Sequence, residues 1–157
     1  MATPENTIDP MDIARRIRPS MTKLYVTYFR IADQSDLTGP QLSIMARLHQ
    51  NGPSRISQVA QEEGIRMPTA SNALHQLEQR DLVRRIREET DRRGVRVELT
   101  ALGEKELKRV GEERTRFLAE MIATLDDENL RKADELADVI NTLAETYNTA
   151  QISNKSE

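Results

Sequence analysis

The chain has no cysteine and no tryptophan, and its aromatic residues are confined to Tyr25, Tyr28, Phe29, Phe117 and Tyr147. Without a thiol there is no disulfide, no thiolate metal ligand, no thiol nucleophile and no thiol-based peroxide sensor. A core so poor in rings must be assembled from Leu, Ile, Val, Ala and Met, units that suit packed helices. No apolar run approaches the roughly 20 residues a membrane span needs. The opening segment, Met1 to Pro10, is polar and acidic and unlike a signal peptide, so a cytoplasmic location without a membrane partner is expected. Gly-rich phosphate loops, nucleophile elbows and His or carboxylate clusters at metal-ligand spacing are also missing, and His49 and His75 fall in different elements. No enzyme activity, catalytic residue, cofactor or metal is therefore expected.

What is present is a charge pattern. The net charge of −3 speaks against a nucleic-acid partner until its distribution is read. From Gly64 to Val97 eight Arg stand against five acids, whereas from Glu98 to Glu157 eight basic residues face fourteen acids. A basic centre beside an acidic C-terminal section gives a duplex a preferred face whatever the overall sign.

Apolar periodicity divides the 157 residues, enough for one domain, into a mainly helical order. Ile13, Ile17, Leu24, Tyr28 and Ile31 form one stripe, interrupted at Pro19, where a kink or a late start is expected. Thr38 is placed to cap a second helix carrying Leu42, Met45, Ala46 and Leu48, stopped by Asn51-Gly52-Pro53. A short helix from Arg55 to Glu63 ends at Gly64, which supplies the left-handed exit. A fourth helix, from about Met67 to Arg80, turns Ala70, Ala73, Leu74 and Leu77 inward. The period then falls to two: Val83 to Arg87 and Val95 to Leu99 read as strands of a hairpin around the polar loop Glu88 to Gly94. Thr100 caps a long helix (Leu107, Val110, Phe117, Met121, Leu125), and Asp126-Asp127-Glu128 breaks it and starts another, where acids suit the helix N-terminus. That last helix spaces Leu136, Ile140, Leu143 and Tyr147 by four, three and four, a coiled-coil-like seam.

Helix, short helix, Gly turn, helix, hairpin is the order of a winged helix-turn-helix. Opposite its apolar stripe the fourth helix carries Pro68, Asn72, His75 and Gln79, flanked by Thr69, Ser71 and Gln76. Solvent-facing helix surfaces usually hold Lys and Glu; this one is short, hydrogen-bonding and nearly uncharged. Asn and Gln can pair with adenine edges, and Ser and Thr with any base, in a major groove. The plainer alternative is a tolerated polar surface. The neighbouring hairpin favours base reading: Arg84, Arg85, Arg87, Arg92, Arg93 and Arg96 crowd around the loop, some to pair with Glu88, Glu89, Asp91 or Glu98, others to meet phosphates or, at the tip, to enter a narrow minor groove.

The run Asp91-Arg92-Arg93-Gly94-Val95-Arg96-Val97-Glu98-Leu99-Thr100 resembles the wing signature of the MarR family of bacterial regulators. Ile56-x-x-Val59-Ala60, Gly64-Ile65, Pro68-Thr69 and Leu77-Glu78-x-x-x-Leu82-Val83 resemble that family's helix-turn-helix, and the likeness covers nearly the whole chain. It implies a mainly α fold with a small β-hairpin wing, a DNA-binding lobe at about 38–100, and dimerisation helices at about 10–35 and 101–150. A flexible arm (1–9) and tail (151–157) flank this single domain of residues 10–150. It also implies a transcription regulator, most often a repressor, that binds double-stranded DNA as a homodimer on a pseudo-palindromic operator. By the same resemblance Arg93 is the minor-groove residue and Asp91 braces the wing arginines, while the DNA-binding set is Arg66, Pro68, Thr69, Ser71, Asn72, His75, Gln76, Arg84, Arg92 and Arg93. A winged-helix protein-interaction module without a specific DNA target is the alternative; it calls for an apolar recognition face or a wing without basic residues.

Two residues depart from the family pattern. Arg66 stands at the N-cap of the fourth helix where relatives often have Ser; it offers no capping oxygen but can reach a phosphate. Asp81 stands where Gly is common, and a left-handed Asp is tolerable there. The seam on the last helix and the stripe on the first call for a second copy to cover them, with packing inside one chain as the plainer alternative. Family members often bind small aromatic or anionic effectors between the helical and DNA-binding parts. Arg16, Tyr25, Tyr28, Arg47 and His49 are the candidates for such a partner, each with a plainer structural role beside the ligand reading.

Overall fold

The computed structural model describes residues 8–32, 36–87 and 95–154, which form two separate compact units, residues 1–36 and 37–157. Within the first, α1 (Pro10–Ala32) starts where Asp9 Oδ1 accepts the Met11 N–H at 3.0 Å, with Pro10 setting φ for the first turn. The helix runs on through Pro19, so the late start is not found. Pro19 has no N–H and cannot serve the Arg15 carbonyl; that turn is exposed, and water can take its place.

The second unit runs α2 (Gly39–Asn51), β1 (Ser54–Arg55), α3 (Ile56–Glu62), α4 (Met67–Gln79), β2 (Val83–Arg87), β3 (Val95–Leu99), α5 (Ala101–Ile122) and α6 (Asp127–Asn154). Thr38 caps α2 through a reciprocal capping box: its Oγ1 accepts the Gln41 N–H at 3.4 Å, and Gln41 Oε1 accepts the Thr38 N–H at 3.0 Å. Gly52, at φ 72°, closes the helix. The buried face of α2 is Gln41, Ile44, Met45 and Leu48, so Ile44 joins the expected stripe while Leu42 and Ala46 are only half-buried.

β1 is an addition to the expected order. It pairs antiparallel with β3, Ser54 opposite Val97 and Arg55 opposite Arg96, and makes a three-stranded sheet in the order β1-β3-β2. Arg55 therefore belongs to a strand and precedes α3. The hairpin register sets Val83 opposite Leu99 and Arg85 opposite Val97, which buries Val83 and Val97 on the core side.

Two left-handed residues make the turns around α4. Gly64 has φ 64° and Asp81 has φ 56°, the conformation anticipated for each. The Thr100 hydroxyl donates to the Asp81 carbonyl and accepts the Gly103 N–H at 2.9 Å, so one side chain ties the exit of α4 to the start of α5. Gly103 is required there by close approach: a Cβ would stand 2.0 Å from the Leu82 carbonyl oxygen. Asp126 Oδ1 accepts the Asn129 N–H at 2.8 Å and caps α6, which continues to Asn154, past the boundary expected at 150.

The core is one aliphatic cluster: Leu37, Ile44, Met45, Leu48, Val59, Leu74, Leu77, Leu82, Val83, Val97 and Val110. Every member lies between residues 37 and 110, and the side chains described on α6 stay outside it.

Candidate nucleic-acid interface

Helix α4 buries Ala70, Leu74 and Leu77, with Ala73 partly covered, and this anchors its opposite side as a surface. Pro68, Thr69, Asn72, His75, Gln76 and Gln79 are all exposed there; Ser71 is half-buried at its margin. The one acid that α4 carries, Glu78, is turned to β2, where its Oε2 accepts from Arg85 Nε at 3.1 Å. The ridge is left free of negative charge, and the same ion pair joins helix to sheet.

The basic residues divide by partner. Arg84 Nε donates to Glu98 Oε1 at 2.6 Å, across the β2–β3 ladder where the two residues are opposite each other. Its side chain remains 67% exposed, so the guanidinium is oriented by Glu98 and still open to an anion. Arg66 is exposed at the N-cap position of α4, makes no capping hydrogen bond, and has no carboxylate partner among the described residues. Arg87 is exposed at the end of β2. Asp91, Arg92 and Arg93 lie outside the described residues.

A hydrogen bond that sequence reasoning did not find links the ridge to α2. The Gln41 Nε2 donates to Gln76 Oε1 at 2.9 Å, and Gln41 is itself only 7% exposed. The signal available in the sequence was the Thr38-x-x-Gln41 capping pattern; what Gln41 does with its remaining hydrogens depends on how α2 and α4 pack.

Of the effector candidates, two lie in the second unit and three in the first. Arg47 is engaged by Glu63, whose other oxygen accepts from Ser43 at 2.8 Å, and this network clamps α2 to the end of α3. His49 Nδ1 lies 2.7 Å from Glu104 Oε2 on α5. Arg16, Tyr25 and Tyr28 lie on α1, Tyr25 exposed and Tyr28 half-buried. Among the described residues no group of three or more His, Asp or Glu is arranged for a metal ion, and no helix is long and apolar enough to cross a membrane.

An aliphatic lobe that presents a polar helix beside an arginine-bearing sheet defines the winged helix-turn-helix class. Known proteins agree: residues 37–95 match the profile of the MarR family. FarR of Neisseria gonorrhoeae, an HTH-type transcriptional regulator, is 35% identical over 89 residues, 56% of this chain and 61% of FarR, so the chain spans less than two thirds of that relative. MdtR of Bacillus subtilis, an HTH-type transcriptional repressor, is 23% identical over 135 residues, 86% of this chain and 87% of MdtR. FabT of Streptococcus pneumoniae, solved in complex with DNA, superposes with a TM-score of 0.65 at 20% identity, covering 84% of this chain and 98% of FabT. Over residues 37–95, the segment that carries the ridge and its sheet, the chain is therefore similar to the MarR family.

Proposed function

We propose that this protein is a sequence-specific DNA-binding transcription regulator, a repressor that grips a pseudo-palindromic operator as a homodimer. The observation that carries the reading is the exposed, uncharged, hydrogen-bonding ridge of α4 beside β2, with Arg84 and Arg66 open to phosphates at its flanks. Short amides and hydroxyls read base edges in a major groove, and guanidinium groups hold the register on the backbone. The DNA held by FabT and the description of MdtR as a repressor support the extension to this chain.

Dimerisation is supported by surface left uncovered. Leu136, Ile140, Leu143 and Tyr147 are 49%, 55%, 64% and 62% exposed, one continuous seam along α6. A second copy placed about a two-fold axis would cover it and set two α4 helices about 34 Å apart, in successive major grooves. Release by a small aromatic or anionic effector belongs to the same reading. It would have to displace Glu63 if it were to use Arg47.

The test is fluorescence anisotropy on duplexes selected from a randomised pool, repeated across a salt series. The expected result is a palindromic consensus, with affinity falling steeply as salt rises because phosphate contacts release counterions. Arg93→Ala should weaken binding to every duplex alike, as the loss of a wing contact would. A protein that selects no consensus, or an Arg93→Ala variant with unchanged affinity, overturns the respective part.

A further inference from the structure

We propose that Gln41 sets the orientation of the Gln76 amide, so that this side chain turns its N–H donors, and not its oxygen, toward a base edge. This rests on the reading of α4 as the helix that reads bases.

The chain of reasoning starts from a group that cannot be turned round. The backbone N–H of Thr38 is a donor, and it donates to the Gln41 side chain at 3.0 Å. The atom it meets must therefore be the Gln41 carbonyl oxygen. That leaves the Gln41 amino group as the end that faces Gln76, 2.9 Å away. An amino group there requires an acceptor opposite, so the Gln76 oxygen faces Gln41 and the Gln76 amino group faces away from it, on an exposed residue. Reversing either amide alone sets N–H against N–H or oxygen against oxygen; reversing both strands the Thr38 N–H against an amino group. Because Gln41 is almost wholly buried, water is poorly placed to relieve either mismatch.

The consequence is a specificity. A free glutamine pairs with adenine through both ends of its amide, donating to N7 and accepting from the N6 amino group. With its oxygen turned toward Gln41, Gln76 presents its amino group, and not its oxygen, to a base edge. Its targets are the major-groove acceptors, guanine O6 and N7, thymine O4 or adenine N7, while the amino edge of cytosine offers it nothing. Gln41, buried behind it, is the positioning residue.

The variant that separates this from a packing role is Gln41→Glu. A glutamate keeps the capping box, since one carboxylate oxygen still accepts the Thr38 N–H, and it stays ionised at the positive end of α2. Its second oxygen then faces Gln76, which must reverse its amide and present its carbonyl to the duplex. The experiment is site selection from a randomised duplex pool with full-length wild type, Gln76→Ala, Gln41→Glu and Gln41→Met. Wild type should favour an acceptor edge by at least about fivefold at one half-site position, and Gln76→Ala should flatten that position alone. Gln41→Glu should invert the preference there toward a base amino edge. Gln41→Met, which removes the latch without adding charge, should broaden it to admit the two-ended adenine contact, and it carries the test if Gln41→Glu fails to fold. If Gln41→Glu and Gln41→Met both keep the wild-type preference at the position that Gln76→Ala flattens, or if Gln76→Ala flattens none, the inference is overturned while the DNA-binding reading stands. A wild type that selects no sequence overturns that reading, and the inference with it.

Discussion

Arg66 stands where a helix end wants an oxygen. Its guanidinium cannot accept from the free N–H groups of the first turn of α4, and no capping bond forms. If it serves a phosphate instead, Arg66→Ser should move two measurements in opposite directions. Folding stability should rise by about 1 kcal/mol, the worth of a cap, read as a higher denaturant midpoint. Operator affinity should fall, with the salt slope of log K reduced by about one, the signature of a single lost phosphate contact. A variant that gains stability and keeps the slope would leave Arg66 without a role on DNA. The composition of the ridge was legible beforehand because a polar face without Lys or Glu is visible on a 3.6-residue period. The latch from Gln41 was not, since it joins residues far apart in sequence and depends on which end of an amide faces inward.

Gly103 decides how α5 meets the sheet. Its missing Cβ lets the first turn of the helix lie against the Leu82 carbonyl, with no room for a methyl group at 2.0 Å. Gly103→Ala, which in an exposed helix would stabilise, should here cost about 1–3 kcal/mol as the backbone is forced apart, measurable by chemical denaturation. Further along α5, Glu106 accepts a hydrogen bond from Arg109, whose guanidinium holds the carboxyl below its ordinary value of 4.5 and is itself held more firmly protonated. A carboxylate depressed in the folded state stabilises above its unfolded pKa and loses that contribution as pH falls through the folded one. The stability difference between wild type and Glu106→Gln should therefore be present at pH 7 and decline in acid, below the ordinary 4.5; a difference that does not change with pH would dissociate it from this ion pair. The helices announced themselves through caps and breaks, Thr38, Gly64, Thr100 and Asp126, because those signals are local. β1 did not, since its two residues are too few to show alternation and exist as a strand only by pairing with β3.

The proposed dimer rests on the seam of α6. Burying a Leu or Ile fully is worth roughly 1.5–3 kcal/mol, and Leu136, Ile140 and Leu143 are each about half exposed already. Six such side chains across a two-fold axis then contribute about 5–9 kcal/mol, against an association cost estimated at about 4–15 kcal/mol. The seam alone is marginal, so the proposed dimer calls for further exposed apolar residues beside it, such as Leu118 on α5 and Leu125 just after it. Marginality makes the assembly easy to break without harming the lobe, since among the described residues none after Val110 belongs to the buried core. Ile140→Glu with Leu143→Glu should give a monomer at micromolar concentration by sedimentation, with helical circular dichroism and the melting of the lobe largely retained. On DNA the double variant should keep the weak, salt-sensitive affinity of one α4 helix for a half-site and lose the gain from a full palindrome, which depends on two linked contacts. A double variant that still sediments as a dimer would mean that α6 is not the seam on which the copies meet.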